Sequence, residues 1–235
     1  MGAKPSDVVI SSVHVGTPVP FGPSGEPSAI RKQSILGLVM VDVAGLAGDG
    51  HGDTVHHGGQ DKAVHHYAFD HYECWRLEYP HAGVHFQEPG FFGENLSTTG
   101  IVEGDVCVGD VYRVGSTVLQ VSEVRQPCWK LSHRCGVREL ARRVQETGRT
   151  GWYYRVLESG SLKAGDVMVL DDRPHADWPI SRVTGVLYET PLDRDALRAM
   201  AGLRELAAGQ RALAERRLET GAVEAWDRRL FGPAV

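Results

Sequence analysis

Apolar residues in this chain come in short bursts, separated by polar stretches dense in glycine and proline. The alternation in "VVISSVHVG" predicts a first strand over residues 8–15. "TPVPFGPSGEP" then reads as a loop, and "SAIRKQSI" and "LGLVMVDVAGLAGD" as further strands with glycine breaks near 45 and 48. "DGHGDTVHHGGQDK" has no apolar face to bury and reads as an irregular loop, followed by a short strand in "AVHHYAF". "DHYECWRLEYP" predicts a helix capped by Asp70 and stopped by Pro80. "DVYRV" and "TVLQVSEV" flank Gly115-Ser116, a two-residue hairpin signal. In "VRELARRVQETG", Val137, Leu140, Ala141 and Val144 share one helical face and Gly148 supplies the stop. "GWYYRVLESG" and "AGDVMVLDD" close the strand-rich part.

The texture changes near residue 173, where "RPHADWP" reads as a linker and "ISRVTGVLYET" as one last extended piece. After Pro191, glycines divide the chain into three short amphipathic helices, with Leu213 and Arg217 on one stripe and its flank. The fold class this implies is mainly β (α+β). A barrel over residues 1–172 is followed by a linker and extended segment over 173–190 and a small three-helix domain over 191–235. Many short strands with few long helices favour a barrel over a doubly wound sheet.

Composition narrows the partners. The chain of 235 residues is 42% hydrophobic and 23% charged, an ordinary globular balance. Its net charge of -5 offers no global basic field, so nucleic acid is not expected as a partner. Apolar runs are too short and too broken for a transmembrane span, and "MGAKPSDVVI" lacks a signal-peptide core. The four cysteines at 74, 107, 128 and 135 show no CxxC spacing, so reduced thiols in a cytoplasm are the expectation. No GxGxxG, P-loop, flavin, haem or iron–sulfur motif is present.

Three stretches carry candidate chemistry. In "SEVRQPCWKLSH", Cys128 stands between Arg125 and Lys130, and Pro127 fixes the backbone just before it. Neighbouring cations favour the thiolate, which is the nucleophilic and metal-binding form. A structural cysteine beside two solvated cations is the plainer alternative. "VHHGGQDKAV" sets His56 and His57 before Gly58 and Gly59, an arrangement suited to a metal or to backbone amides around an anion. No zinc-hydrolase spacing supports the metal. In "GFFGENL", Glu94 and Asn95 follow a glycine, a turn that could present an amide to a ligand. The arginines of "QRALAERRLE" read first as a solvated helix face and second as a docking surface.

Together these segments resemble the MOSC domain, named for the molybdenum cofactor sulfurase C-terminus, and within it the YiiM branch of 6-hydroxylaminopurine resistance proteins. The resemblance is carried by "GLAGDGHGDTVHHGGQDKAVHHY", "HYECWRLEYP", "FGENLSTTG", "VCVGDVYRVGSTVLQVSEVRQPCWKL" and "TGRTGWYYRVL", in order, and spans nearly the whole chain. It implies a MOSC β-barrel with a three-helix C-terminal domain. It also implies a molybdenum cofactor (Mo-molybdopterin) with Cys128 as the protein ligand to molybdenum. Arg125, Lys130, Lys32, His57, Gly58, Gly59 and Asn95 would be cofactor-binding residues. Where the family pattern has a lysine followed by a proline, Lys32 here precedes Gln33-Ser34. The activity implied is reduction of small N-hydroxylated substrates with electrons from an external flavoprotein or ferredoxin-type donor, and no membrane. At the level of the wider superfamily the resemblance also implies pyridoxal phosphate binding. A sulfur carrier with a persulfide on Cys128, or a cofactor storage and transfer protein, are the other functions it allows.

Overall fold

The computed structural model describes residues 7–52 and 58–232. Strands in chain order are β1 (Val8–Val15), β2 (Val19–Phe21), β3 (Glu26–Ser28), β4 (Gln33–Ser34), β5 (Val39–Asp42), β6 (Gly45–Leu46) and β7 (Val64–Ala68). The helix α1 (Asp70–Glu78), strands β8 (Leu96–Thr98), β9 (Val111–Val114) and β10 (Thr117–Val124), and helices α2 (Trp129–Cys135) and α3 (Leu140–Thr147) follow. Then come β11 (Trp152–Glu158), β12 (Gly160–Leu162), β13 (Val167–Asp172) and the helices α4 (Ile180–Tyr188), α5 (Arg194–Ala201), α6 (Ala208–Thr220) and α7 (Asp227–Phe231).

Strand order β13-β9-β10-β11-β7-β8-β1, with β1 pairing back onto β13, closes a seven-stranded barrel. Closure leaves no open edge in the main sheet, apart from β4 added to β1. All ring pairings are antiparallel except β7 with β8, which is parallel and bridged by α1. The hairpin expected at Gly115-Ser116 joins β9 to β10.

Two apolar cores result. The first fills the barrel with Ile10, Val13, Leu96, Leu119, Val121, Trp152 and Tyr154, and continues without a break into Ile180, Val183, Leu187, Leu197, Met200 and Leu213 of the C-terminal helices. The second lies outside the barrel, where Tyr67, Tyr72, Trp75, Phe86, Phe92, Leu131 and Leu140 pack α1, α2 and α3 together. Tyr67 and Phe92 stack there at 4.1 Å between ring centroids.

Four local expectations are corrected. Of residues 180–190, expected to be extended, Ile180–Tyr188 form α4: Ile180, Val183, Thr184 and Leu187 are buried at the i, i+3, i+4, i+7 spacing of a helix face. Core packing overrides the strand preference of Ile, Val and Thr. Asp70 is the first residue of α1 rather than its cap; its carboxylate accepts from the Gly100 amide at 3.1 Å. Of "SAIRKQSI" only Ser28, the end of β3, and Gln33–Ser34 lie in strands. "TPVPFGPSGEP", expected to be a loop, holds β2 and the start of β3, which pair as a hairpin.

A cationic cleft beside Cys128

Cys128 sits where an extended segment turns into a helix. Pro127 holds its own φ near its fixed value and keeps Gln126 out of the helical region. Cys128 is extended, with φ -130° and ψ 165°, and α2 begins at the next residue. Gly136, left-handed at φ 71°, ends the helix after seven residues. Leu131 plugs α2 into the second core. Arg134 donates to the carbonyls of Ile30, Gly90 and Phe91.

The thiol borders a cleft of about 90 Å³ that opens to solvent. Its wall comes from segments far apart in sequence. Arg125 and Gln126 arrive at the end of β10, His65 from β7, Tyr153 from β11, and Phe92, Gly93 and Asn95 from the turn before β8. Barrel register explains two of these neighbours, because Tyr153 lies opposite His65 on one side and opposite Glu123, two residues before Arg125, on the other. The His65 and Tyr153 rings are 4.9 Å apart at 32°.

Charge is distributed unequally. Lys32, Lys62, Arg125 and Lys130 line the cleft, and no Asp or Glu does among the described residues. Three of the cations are committed. Lys32 is ion-paired with Asp49, Lys62 with Glu123 at 2.5 Å, and Lys130 donates to the Pro27 carbonyl at 3.0 Å with Glu26 at 4.0 Å. Arg125 differs: it is 6% exposed, and its Nη1 is buried with no hydrogen-bond partner among the described residues. A buried guanidinium donor left unsatisfied is costly unless a ligand supplies the acceptor. Burial, and after it the charge of Arg125, push the His65 pKa well below its ordinary value, so His65 is neutral. Its Nε2 is likewise buried without a partner among the described residues. Burial raises the Tyr153 phenol to about 12.

The structure therefore brings Cys128, Arg125, Lys130, Lys32 and Asn95 to one cleft. The Asn95 amide does not point to a ligand in the way the turn suggested. Its Nδ2 donates to Asp49 at 2.7 Å and to the His14 carbonyl at 3.1 Å, and its Oδ1 accepts from the His65 amide at 2.9 Å. Asn95 thus ties β1 to β7 and holds Asp49 against Lys32. Gly58 and Gly59 are not among the described residues lining the cleft, where Gly50 and Gly52 stand instead. His57 lies outside the described residues. The histidine-rich run disperses: His66 bonds Tyr154 and Thr98 inside the barrel, and His71 bonds Glu103. Among the described residues no group of three or more His, Cys, Asp or Glu side chains is placed to hold a metal ion. No helix among them is long and apolar enough to cross a membrane.

Sequence reasoning missed Asp49, His65 and Tyr153. Asp49 was hidden in a glycine-rich loop, and the other two looked like packing residues in "KAVHHY" and "GWYYRV". The signal for the last two was strand alternation, which puts His65 and Tyr153 on the face opposite the barrel-filling Val64 and Tyr154.

Comparison with known proteins places this architecture. The MOSC domain family matches residues 53–169, and the family described as "YiiM-like, 3-alpha helix domain" matches residues 178–221. Protein YiiM of Escherichia coli (strain K12) is 37% identical over 213 residues, covering 89% of this chain and 93% of YiiM. A protein of Gibberella moniliformis named "Reductase" is 42% identical over 161 residues, 68% of this chain and 28% of that longer protein. The crystal structure of Escherichia coli YiiM superimposes with a TM-score of 0.78 at 30% identity, over 93% of this chain and 99% of YiiM. That of YiiM from Geobacillus stearothermophilus gives 0.76 at 29% identity, over 90% and 99%. With a matching MOSC domain, a matching three-helix domain and near full-length similarity to YiiM in sequence and fold, the chain belongs to the YiiM family of MOSC domain proteins.

Proposed function

We propose that this chain is a molybdenum-cofactor-dependent reductase of N-hydroxylated compounds such as 6-hydroxylaminopurine. The observation that supports the reading is the setting of Cys128: a thiol in a cleft whose described lining has four cationic side chains and no carboxylate, with Arg125 Nη1 unsatisfied among the described residues. The residues fit the group. A pterin phosphate is an anion, and a guanidinium presents planar paired donors to it. A soft thiolate suits a high-valent metal already bound to sulfur. Cys128 Sγ would ligate the metal, and Arg125 and Lys130 would hold the phosphate, with the Lys32–Asp49 ion pair at the wall beside them. The name of the Gibberella moniliformis relative points to the same reaction class.

When bound, the cofactor supplies two-electron reduction of the N–O bond: R–NHOH takes up two electrons and two protons and leaves as R–NH2 and water. The chain supplies the rest. Asp49 holds Lys32 at the wall, and Asn95 holds Asp49. Tyr153, whose ring packs on that of His65, gives the cleft a ring surface against which a planar heterocycle can stack. His65 stays neutral, so it adds no competing positive charge. Electrons come from a separate flavoprotein or ferredoxin-type partner, and a cytoplasmic setting keeps the thiol reduced.

The test is molybdenum content per chain after expression in a cofactor-competent host, for the parent and Cys128→Ala, followed by reduction of 6-hydroxylaminopurine with a chemical reductant. Molybdenum in the parent, none in the variant, and turnover by the parent alone support the proposal. No molybdenum in either, together with an extra sulfur on Cys128 by intact mass, would replace it with the sulfur-carrier reading.

A further inference from the structure

The segment bearing Cys128 is gripped on both sides by the far C-terminus of the chain. Arg229, on α7, donates from Nη1 to the carbonyl oxygen of Pro127 at 2.6 Å and from Nη2 to Gln145 Oε1 on α3, also at 2.6 Å. Its guanidinium lies 5.8 Å from the ring centre of Tyr188 on α4. Gln145 is buried, so the arginine is anchored to the body of the protein rather than to solvent. On the other side of the cysteine, the Gly232 backbone lies flat against Trp129. A Cβ added to Gly232 would be 3.3 Å from Trp129 Cγ. From the opposite direction, a Cβ at Gly22 in the β2–β3 turn would be 2.6 Å from Trp129 Cη2. Trp129 is therefore clamped between the first hairpin and the C-terminus.

We infer that Arg229 is a positioning residue for Cys128: by fixing the Pro127 carbonyl it orients the peptide plane from which the cysteine springs. The Pro127 carbonyl and the Cys128 amide belong to one rigid plane. The proline ring already fixes the φ on its own side. Anchoring the oxygen therefore fixes the Pro127 ψ, and leaves only the Cys128 φ, which α2 restrains from the other side, to set the Cα–Cβ bond. Two charge-assisted donors hold that anchor. α7 lies beyond residues 178–221, where the three-helix family matches, so the contribution is made by a part of the chain outside that domain. The C-terminal helices then serve the cleft directly. The inference rests on the proposed function in one respect, that Cys128 is the working thiol.

The experiment measures alkylation of each cysteine by iodoacetamide, resolved by peptide mass spectrometry, on the full-length cofactor-free chain. Cys135 is the internal control, because it sits at the other end of α2. Arg229→Ala is expected to accelerate Cys128 alkylation roughly ten-fold or more, the shift in local opening expected when a charged hydrogen bond is lost. Cys135 should stay within about two-fold of the parent rate. Arg229→Lys, which can still reach the Pro127 oxygen but cannot bridge to Gln145, should fall between. If Arg229→Ala does not fold, the lysine variant carries the same comparison. An unchanged Cys128 rate, or equal acceleration at Cys128 and Cys135, would overturn the inference, since the first denies the anchor and the second shows only a loosened helix. Molybdenum content of the parent is read separately, so absence of metal there would remove the reductase reading without touching this one.

Discussion

Lys32 and Asp49 form an ion pair with both side chains almost shut off from water, 7% and 3% exposed. Asp49 also accepts from Asn95 Nδ2 at 2.7 Å and from the Gly16 amide at 2.8 Å. The carboxylate is thus fully used in holding one cation at the cleft wall. Burial lowers the Lys32 pKa, and the Asp49 charge opposes that shift.

Removing one partner of such a pair strands the other. Asp49→Asn should cost about 3–5 kcal/mol in urea unfolding at neutral pH, because it leaves a buried ammonium uncompensated. Adding Lys32→Met to that variant should recover most of the loss. A single-variant cost below about 1 kcal/mol, the size of a surface pair, would show that Lys32 escapes to solvent.

Arg125 should dominate binding of a simple anion to the cofactor-free protein. Arg125→Met removes the unsatisfied donor and should weaken inorganic phosphate binding roughly ten- to a hundred-fold by isothermal titration calorimetry, the effect of one to two charged hydrogen bonds. Arg125→Lys should not restore it, since an ammonium cannot reproduce the planar pair of donors. Undiminished binding in the methionine variant would place the anion on Lys62 or Lys130 instead.

Much of this arrangement was legible in the sequence, and the reasons differ by residue. The barrel strands announce themselves by alternation, and β9–β10 by its Gly-Ser turn. Arg125, Cys128 and Lys130 could be singled out because they are neighbours in sequence and stay neighbours in the fold. Asp49, His65 and Tyr153 could not, because barrel closure and strand register bring them together across long separations. α4 was hidden by β-branched residues and by Gly185, although its i, i+3, i+4, i+7 apolar spacing was present. Arg217 illustrates the limit of helix-face reasoning. It reads as a solvated arginine, yet it is 1% exposed and donates to the Leu187 carbonyl and to Glu224. Only the tertiary packing of α6, on α5 and with Arg217 reaching the end of α4, makes that position interior.

His66 should shape the acid limb of stability. It is buried inside the barrel, with one ring nitrogen 3.0 Å from the Tyr154 hydroxyl and the other 2.8 Å from Thr98 Oγ1. Burial lowers its pKa from 6.5 to about 3. Between those values the unfolded chain binds a proton that the folded chain refuses, so the contribution of neutral His66 is complete above pH 6.5 and lost as pH falls toward 3. The loss is about 1.4 kcal/mol per pH unit. His66→Gln, which keeps a donor and an acceptor, should flatten urea midpoints measured from pH 7 to 4. A variant curve parallel to the parent's would assign the acid limb to His65 or to other groups.

Gly151 joins barrel geometry to the cleft. Its φ of 73° is left-handed, and a Cβ there would lie 2.4 Å from the His66 carbonyl oxygen and 3.1 Å from His65 Nε2. Its own carbonyl accepts from the Arg125 amide at 3.1 Å, and its amide donates to Glu103 Oε1 at 2.7 Å. Any side chain must therefore push β7 away from the segment that carries Arg125. Gly165 is the natural control, since its φ is 89° but open space surrounds it. Gly165→Ala should cost only the left-handed backbone penalty, roughly 1–2 kcal/mol, and leave phosphate affinity unchanged. Gly151→Ala should cost more than that in urea unfolding and also weaken phosphate binding, because the clash displaces His65 and the Arg125 backbone together. Equal costs at the two glycines, with equal phosphate affinity, would mean that β7 yields without disturbing the cleft.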